Sequence, residues 1–245
     1  MTVLNRKLPY ILILYLNTMK RKIYYLAIIM TVVMISCLSN SQKEKKSDKS
    51  TNTTEQENEM ISLFNGQDLS NWSFMLRDAS VDPASVFYVK DGVIRIAGEP
   101  FGYMRTNDIY SDYTLYAEWR YPEEATNSGI FIHTQLPDTI WPQCFECQLK
   151  AGSAGDFICM NGSDMNERTD KSVRVIPKQA ESNEKPAGEW NTMEIVCNGN
   201  TIDVTINGLH QNKASGTNLS QGHICLQSEG KDIEFRNVYI SRLKK

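Results

Sequence analysis

Three short segments carry side chains able to do chemistry at a period of two. In Phe145-Glu-Cys-Gln-Leu-Lys150, the polar residues Glu146, Gln148 and Lys150 alternate with apolar ones. His133 and Gln135 alternate with Ile130 and Ile132 in 127–135, and Glu118 and Arg120 with Ala117 and Trp119 in 113–121. A carboxylate or imidazole moves protons, an amide holds a hydroxyl, and a cation stabilises a developing negative charge. Tyr103, beside Arg105, and Trp141, between two of the segments, add flat apolar rings. Carboxylates, amides and guanidinium groups bind sugar hydroxyls, and aromatic faces pack on the C–H side of the ring.

Alternation with period two means strands that bury one face. If the three segments pair as consecutive antiparallel neighbours, all seven polar residues share one side of one sheet. A solvated face is the plainer reading of each residue alone, because antiparallel sheets commonly have one wet side. The set is harder to read that way, since it is poor in Thr and Ser. His133 beside Glu146 would form an acid/base pair. The rest of the domain reads as short strands too. Segment 85–98 is a hairpin turned at Asp91-Gly92, and 189–211 carries Asn-Gly turns at 198–199 and 207–208. No amphipathic helix of three turns is visible. Short strands with Gly, Asn and Asp turns indicate an all-β protein, a sandwich or jelly roll of two antiparallel sheets over residues 59–245.

What precedes that domain reads as export machinery. Lys20, Arg21 and Lys22 precede an apolar run at 23–35, too short for a membrane span and the length of a signal-peptide core. Met34-Ile-Ser-Cys37 is similar to a lipobox, which makes residues 1–36 a signal peptide and Cys37 a lipidated N-terminus. Met19 opens a more ordinary signal sequence, so 1–18 reads as an extension of the start. Residues 38–58 hold one Leu and no aromatic residue, the composition of a disordered tether, so 37–58 links lipid to domain. The expected setting is the cell envelope, outer membrane or periplasm, with the membrane as a partner through the lipid. Cleavage removes Arg6, Lys7, Lys20, Arg21 and Lys22 and no acidic residue, moving the formal charge from −3 to −8. An acidic domain without a basic patch excludes nucleic acid as an expected partner. Cys144-x-x-Cys147 has neither a second Cys pair at zinc spacing nor a helix to open, and most of the thiols read as small core residues.

The segments 62–72, 89–94, 111–120, 127–133, 145–152, 188–209 and 222–240, in that order, resemble the 3-keto-disaccharide hydrolase domain family, formerly a domain of unknown function. The resemblance covers about 60–243. It implies a concanavalin A-like lectin/glucanase jelly roll, in a family abundant among exported proteins and lipoproteins of Bacteroidota and Planctomycetes. It also implies cleavage of a glycosidic bond in an oligosaccharide or keto-sugar oxidised at C3. A C3 ketone acidifies the C2 hydrogen; a base removes it, the enolate expels the C1 group, and water can add. On this resemblance Glu146 and His133 are the base and acid, and Arg120, Lys150 or Arg105 stabilises the enolate. Gln148 and Gln135 hold hydroxyls, with Glu118 lining the site and Trp141 or Tyr103 as ring platform. No particular cofactor is implied. A divalent metal ion could replace the cation, with His133, Glu118 and Glu146 as ligands, although no spacing demands one. Hydrolysis by the carboxylate pair Glu118 and Glu146 is a variant. A non-catalytic, lectin-like carbohydrate-binding protein on the same fold is the alternative.

Overall fold

The computed structural model describes residues 60–244; the signal segment, Cys37 and the tether lie outside the described residues. The strands are β1 (Met60–Ser62), β2 (Trp72–Leu76), β3 (Phe87–Lys90), β4 (Val93–Ile96), β5 (Gly102–Thr106), β6 (Tyr113–Arg120), β7 (Gly129–Thr134), β8 (Cys144–Gln148), β9 (Phe157–Met160), β10 (Val175–Ile176), β11 (Asn191–Asn198), β12 (Thr201–Ile206), β13 (Leu209–Ala214), β14 (His223–Ser228) and β15 (Ile233–Arg242). One 3-10 turn, Pro83–Ser85, is the only helical element among the described residues.

Two antiparallel sheets result. The back sheet runs β13-β12-β11-β6-β15-β4-β3, with β1 also paired to β15; the front sheet runs β10-β9-β8-β7-β14-β5-β2. Hairpin chemistry sets local register. Asp91-Gly92 and Asn207-Gly208 both have two positive φ angles, +55° and +73°, then +47° and +78°. That is the primed turn whose twist matches the strands, and Asx-Gly tolerates it.

The core lies between the sheets. From the back, β6 sends in Tyr113, Leu115, Ala117 and Trp119; from the front come Ile130, Ile132, Phe145 and Cys147. Burying each such large side chain contributes about 1.5–3 kcal/mol. The five described cysteines are free and buried, as small core residues.

One expectation fails here, and it matters for the site. β6 does not pair with β7; its neighbours are β11 and β15. The eight residues from Tyr121 to Ser128 carry the chain across to the other sheet rather than turning it back. Alternation along β6 is as expected, but its polar side is the outer face of the back sheet. The polar side of β8 is the outer face of the front sheet. Glu118 and Arg120 therefore stand on the opposite surface of the sandwich from Glu146.

Candidate functional site

The front sheet's outer face is built in rows by its ladders. Cys225 on β14 lies opposite Phe131 on β7, which lies opposite Glu146 on β8, which lies opposite Ile158 on β9. The next row brings Gln148 opposite Gly129, with Gln227 one step beyond Leu226 on the other side. Gly129 is the gap in that floor. A Cβ built there would stand 2.4 Å from Glu146 Oε1 and 2.8 Å from its Cγ, so the Glu146 side chain lies flat over the glycine. Glu146 is 3% exposed. Burial pushes its carboxyl up to about 8; Glu229 adds to the rise and Arg174 opposes it, while no hydrogen bond contributes. A carboxyl that is buried, unbonded and neutral at pH 7 is a proton donor, and once ionised a stronger base than an exposed glutamate.

Polar groups surround it that spacing alone did not single out. Gln227 Nε2 donates to Glu229 Oε2 at 2.7 Å. Asn127 acts to lower the Glu229 carboxyl, against a burial that raises it. Gln227 Oε1 and Asn127 Oδ1 are buried and accept nothing. Gln148 Oε1 accepts from the backbone N–H groups of Leu149 and Lys150, at 3.0 and 2.9 Å, which fixes the amide. The exposed Arg174 supplies positive charge to both Glu146 and Glu229. The signal for Gln227 was present in the sequence, as a polar residue between Leu226 and the Glu229-Gly230 turn. What hid it was the long connection that brings β14 beside β7.

One side of this face is closed by the connection 135–143. Arg105 grips Asp138 with Nε at 2.9 Å to Oδ1 and Nη2 at 3.0 Å to Oδ2. The Tyr103 hydroxyl donates toward Asp138 Oδ1 and the Thr139 carbonyl, at 3.1 and 3.0 Å. Tyr103 is fully buried, edge-on to Phe131 with centroids 5.8 Å apart. It belongs to the floor, with Cys144, Ile158, Met160 and Cys225, and is not an open ring platform. Arg105 is likewise taken up by Asp138 and anchors the connection. Trp141 remains exposed, tilted against Phe101 at 6.0 Å, whose ring carries Arg77 at 4.3 Å.

His133 is not beside Glu146. β7 carries a bulge: His223 pairs with Thr134 and Cys225 with Phe131, so Ile224 alone faces Ile132 and His133. His133 adopts φ +53°, which slips the alternation by one. Its ring enters the core edge-on to Tyr113 at 6.2 Å and Phe145 at 6.5 Å, and Nδ1 lies 3.2 Å from the Leu219 carbonyl. Thr134 takes the outer side instead, within 3.2 Å of Cys225 Sγ. Burial pulls the imidazole down to about 4, against the Leu219 bond and Asp112. A neutral ring that gives its Nδ1 hydrogen to a carbonyl is a core residue, and the Glu146–His133 acid/base pair is corrected.

The remaining candidates separate in the same way. Gln135 Nε2 is bound to the carbonyls of His133 and Gln221, at the end of β7. Lys150 is exposed in the turn after β8. On the back sheet, Arg120 Nε donates to Glu234 at 2.7 Å and its guanidinium lies 4.6 Å over Trp190. Burial works to raise the Glu118 carboxyl, but hydrogen bonds from Asn237 and Arg236, the latter at 2.6 Å, leave it below the usual range. Neither residue reaches the front face, so the Glu118–Glu146 carboxylate pair and the metal set of His133, Glu118 and Glu146 are not assembled. Among the described residues no group of three His, Cys, Asp or Glu could hold a metal ion. A hollow of about 500 Å³ lined by Phe64, Asn237 and Tyr239 lies at the β1–β15 edge of the back sheet, away from this chemistry.

A family model described as a 3-keto-alpha-glucoside-1,2-lyase-like domain matches residues 59–241. Two solved structures from Parabacteroides distasonis, each described as a "putative glycosyl hydrolase", are similar at 21% and 19% identity. Both have a TM-score of 0.57 and cover 76% of this chain, and 100% and 94% of their own. A Bacillus licheniformis beta-glucanase is similar at 10% identity and TM-score 0.51, over 76% of this chain and 97% of that one. No curated protein matches. These likenesses show the fold, a concanavalin A-like jelly roll of two antiparallel sheets.

Proposed function

Because the chain belongs to the 3-keto-alpha-glucoside-1,2-lyase-like domain family, we propose that it cleaves the C1–O bond of a 3-keto-glycoside by elimination across C1 and C2. The observation that supports this reading is Glu146: a buried carboxyl without a hydrogen-bond partner, lying over Gly129 on the front face. Elimination needs a base for the C2 hydrogen, which the C3 ketone acidifies. Glu146 in its ionised form takes that proton; the electron pair forms C1=C2 as the C1–O bond breaks. Glu146 passes the proton it took from C2 to the departing oxygen, directly or through water, so that the alcohol leaves, Glu146 is again ionised, and the sugar becomes an enone to which water can add.

The roles first given to Arg120 and Arg105 fall to Arg174, the exposed guanidinium whose charge reaches Glu146, as the group that stabilises the enolate. Gln148, its oxygen held by backbone N–H groups, turns its NH₂ to a hydroxyl. Trp141 supplies an apolar ring at the rim. Deuterium at C2 tests the chemistry: recovered substrate should gain solvent deuterium there, or C2-deuterated substrate should turn over more slowly. Cleavage product that retains the deuterium of C2-deuterated substrate excludes C2–H removal as a step of the reaction.

Export and lipid anchoring are part of the same proposal, supported by the Lys20–Lys22 cluster, the apolar run and Cys37. Palmitate should label the protein in cells, and Cys37→Ser should abolish labelling and release the domain from membranes. Membrane-free, unlabelled wild type contradicts the anchor.

A further inference from the structure

Two buried amide oxygens on the front face accept no hydrogen bond, and such orphans in a folded protein call for an explanation. For Gln227 the geometry supplies one. Its amide cannot be turned round, because Nε2 faces the Glu229 carboxylate at 2.7 Å and an oxygen there would meet negative charge. Oε1 is thereby fixed as an acceptor. Gln227 stands beside Gly129 on one side of the gap, and the Glu146 carboxyl fills that gap. The front face has one unbonded acid and, next to it, one unbonded acceptor.

We propose that Glu229 is a positioning residue for Glu146: through Gln227 it presents an acceptor to the Glu146 hydroxyl, and with its own charge it keeps that hydroxyl protonated. The arrangement runs Glu146 O–H to Gln227 Oε1, then Gln227 Nε2–H to Glu229 Oε2. A carboxylate at one end sets the polarity of the amide, and the amide selects the neutral acid at the other. Removing the charge frees the amide to turn and donate to an ionised Glu146. The other charged group acting on Glu146 is Arg174, which favours the ionised form; Tyr121, Cys144 and Cys147 also sense Glu146 and are neutral at pH 7. Glu229 is itself influenced by Arg174, Arg77 and Glu99. Burial raises both carboxyls, and the Glu229 charge raises Glu146 further.

In turnover, on the elimination reading above, the arrangement makes ionised Glu146 the stronger base and holds the proton once it is taken; the coupling itself does not rest on that reading, because it is read without substrate. The experiment is a titration of Glu146 in the full protein by carbon NMR of the glutamate carboxyls, assigned with Glu146→Gln. Glu229→Gln should move the Glu146 midpoint down by about one unit or more, and Glu229→Asp, which keeps the charge, should restore most of it. An unmoved midpoint in Glu229→Gln, or an equal shift in Glu229→Asp, overturns the proposal. Should Glu229→Gln not fold, infrared spectroscopy of the wild type decides. A carboxylic-acid band at pH 7 that Glu146→Gln removes and that has the lowered frequency of a hydrogen-bonded acid supports it; a band at the frequency of a free acid, or no band, overturns it. If the midpoint shifts as described but keto-sugars are not cleaved, the coupling stands and the elimination reading falls.

Discussion

Replacing Glu146 by Gln should stabilise this protein, increasingly so as the pH rises. Gln has nearly the shape of a protonated Glu and cannot ionise. In the fold Glu146 keeps its proton up to about pH 8, whereas its ordinary value is 4.5. Between these values the folded state binds more protons than the unfolded one, so stability falls with rising pH, by about 1.4 kcal/mol per unit. The contribution is complete below 4.5, declines through the window and levels off above 8. Relative to wild type, the variant should gain about 1 kcal/mol at pH 5, about 3 at pH 7 and about 4 at pH 8. Those figures are an upper range, because the folded site relaxes around an ionised carboxylate. Urea unfolding of both proteins at each pH gives the difference directly, and other titrating groups cancel to first order. A difference that stays flat from pH 5 to 8 would refute the claim that Glu146 is a buried, uncompensated acid. Turnover should move the opposite way, falling by about 10²–10⁴-fold in the variant.

Other perturbations separate the site from its surroundings. Gly129→Ala sets a methyl 2.4 Å from Glu146 Oε1 and must displace the carboxyl; kcat should fall about 100-fold with the melting cooperative and the sandwich intact. His133→Asn, which tolerates the left-handed backbone, should retain turnover. It should also lose an acid sensitivity of the wild type. The His133 contribution is present above pH 6.5 and is lost as pH falls through about 4, because the unfolded imidazole charges first. Collapse of kcat in a folded His133→Asn protein would restore a catalytic histidine. Asp138→Ala releases Arg105 and Tyr103 and loosens the connection carrying Trp141, so KM should rise more than kcat falls, by about tenfold. Arg120→Met on the far sheet should cost about 1–2 kcal/mol, because the buried Glu234 loses one guanidinium partner and keeps Arg95 at 2.6 Å, yet leave kcat/KM unchanged.

Much of this was legible because strand alternation is a local property. The inward set of β6 and the pair Glu146 and Gln148 on β8 follow from residue type every second position, and Asp91-Gly92 marks its own turn. Which strands share a sheet is not local. The connection through Pro122 crosses between layers, and this sent Glu118 and Arg120 to the far surface. A single-residue bulge then undid His133: one left-handed φ reverses the face of a side chain that periodicity assigns to the other side. Tyr103 and Arg105 were on the right face, but whether a polar group is free or already held by Asp138 depends on a partner 33 residues away. Gln227 and Glu229 escaped notice for the converse reason, since their strand joins β7 from nearly a hundred residues downstream.

The central claim is elimination from an oxidised sugar by Glu146. It is tested most directly by incubating the purified protein with a panel of 3-keto-disaccharides and their unoxidised counterparts, with and without EDTA, and identifying products by mass and NMR. The account predicts release of the alcohol and an enone, or its hydrate, from keto sugars alone, and loss of both in a folded Glu146→Gln variant. Cleavage of the unoxidised sugars, full activity in Glu146→Gln, or binding without cleavage of any sugar would contradict it, the last making the front face a lectin cleft.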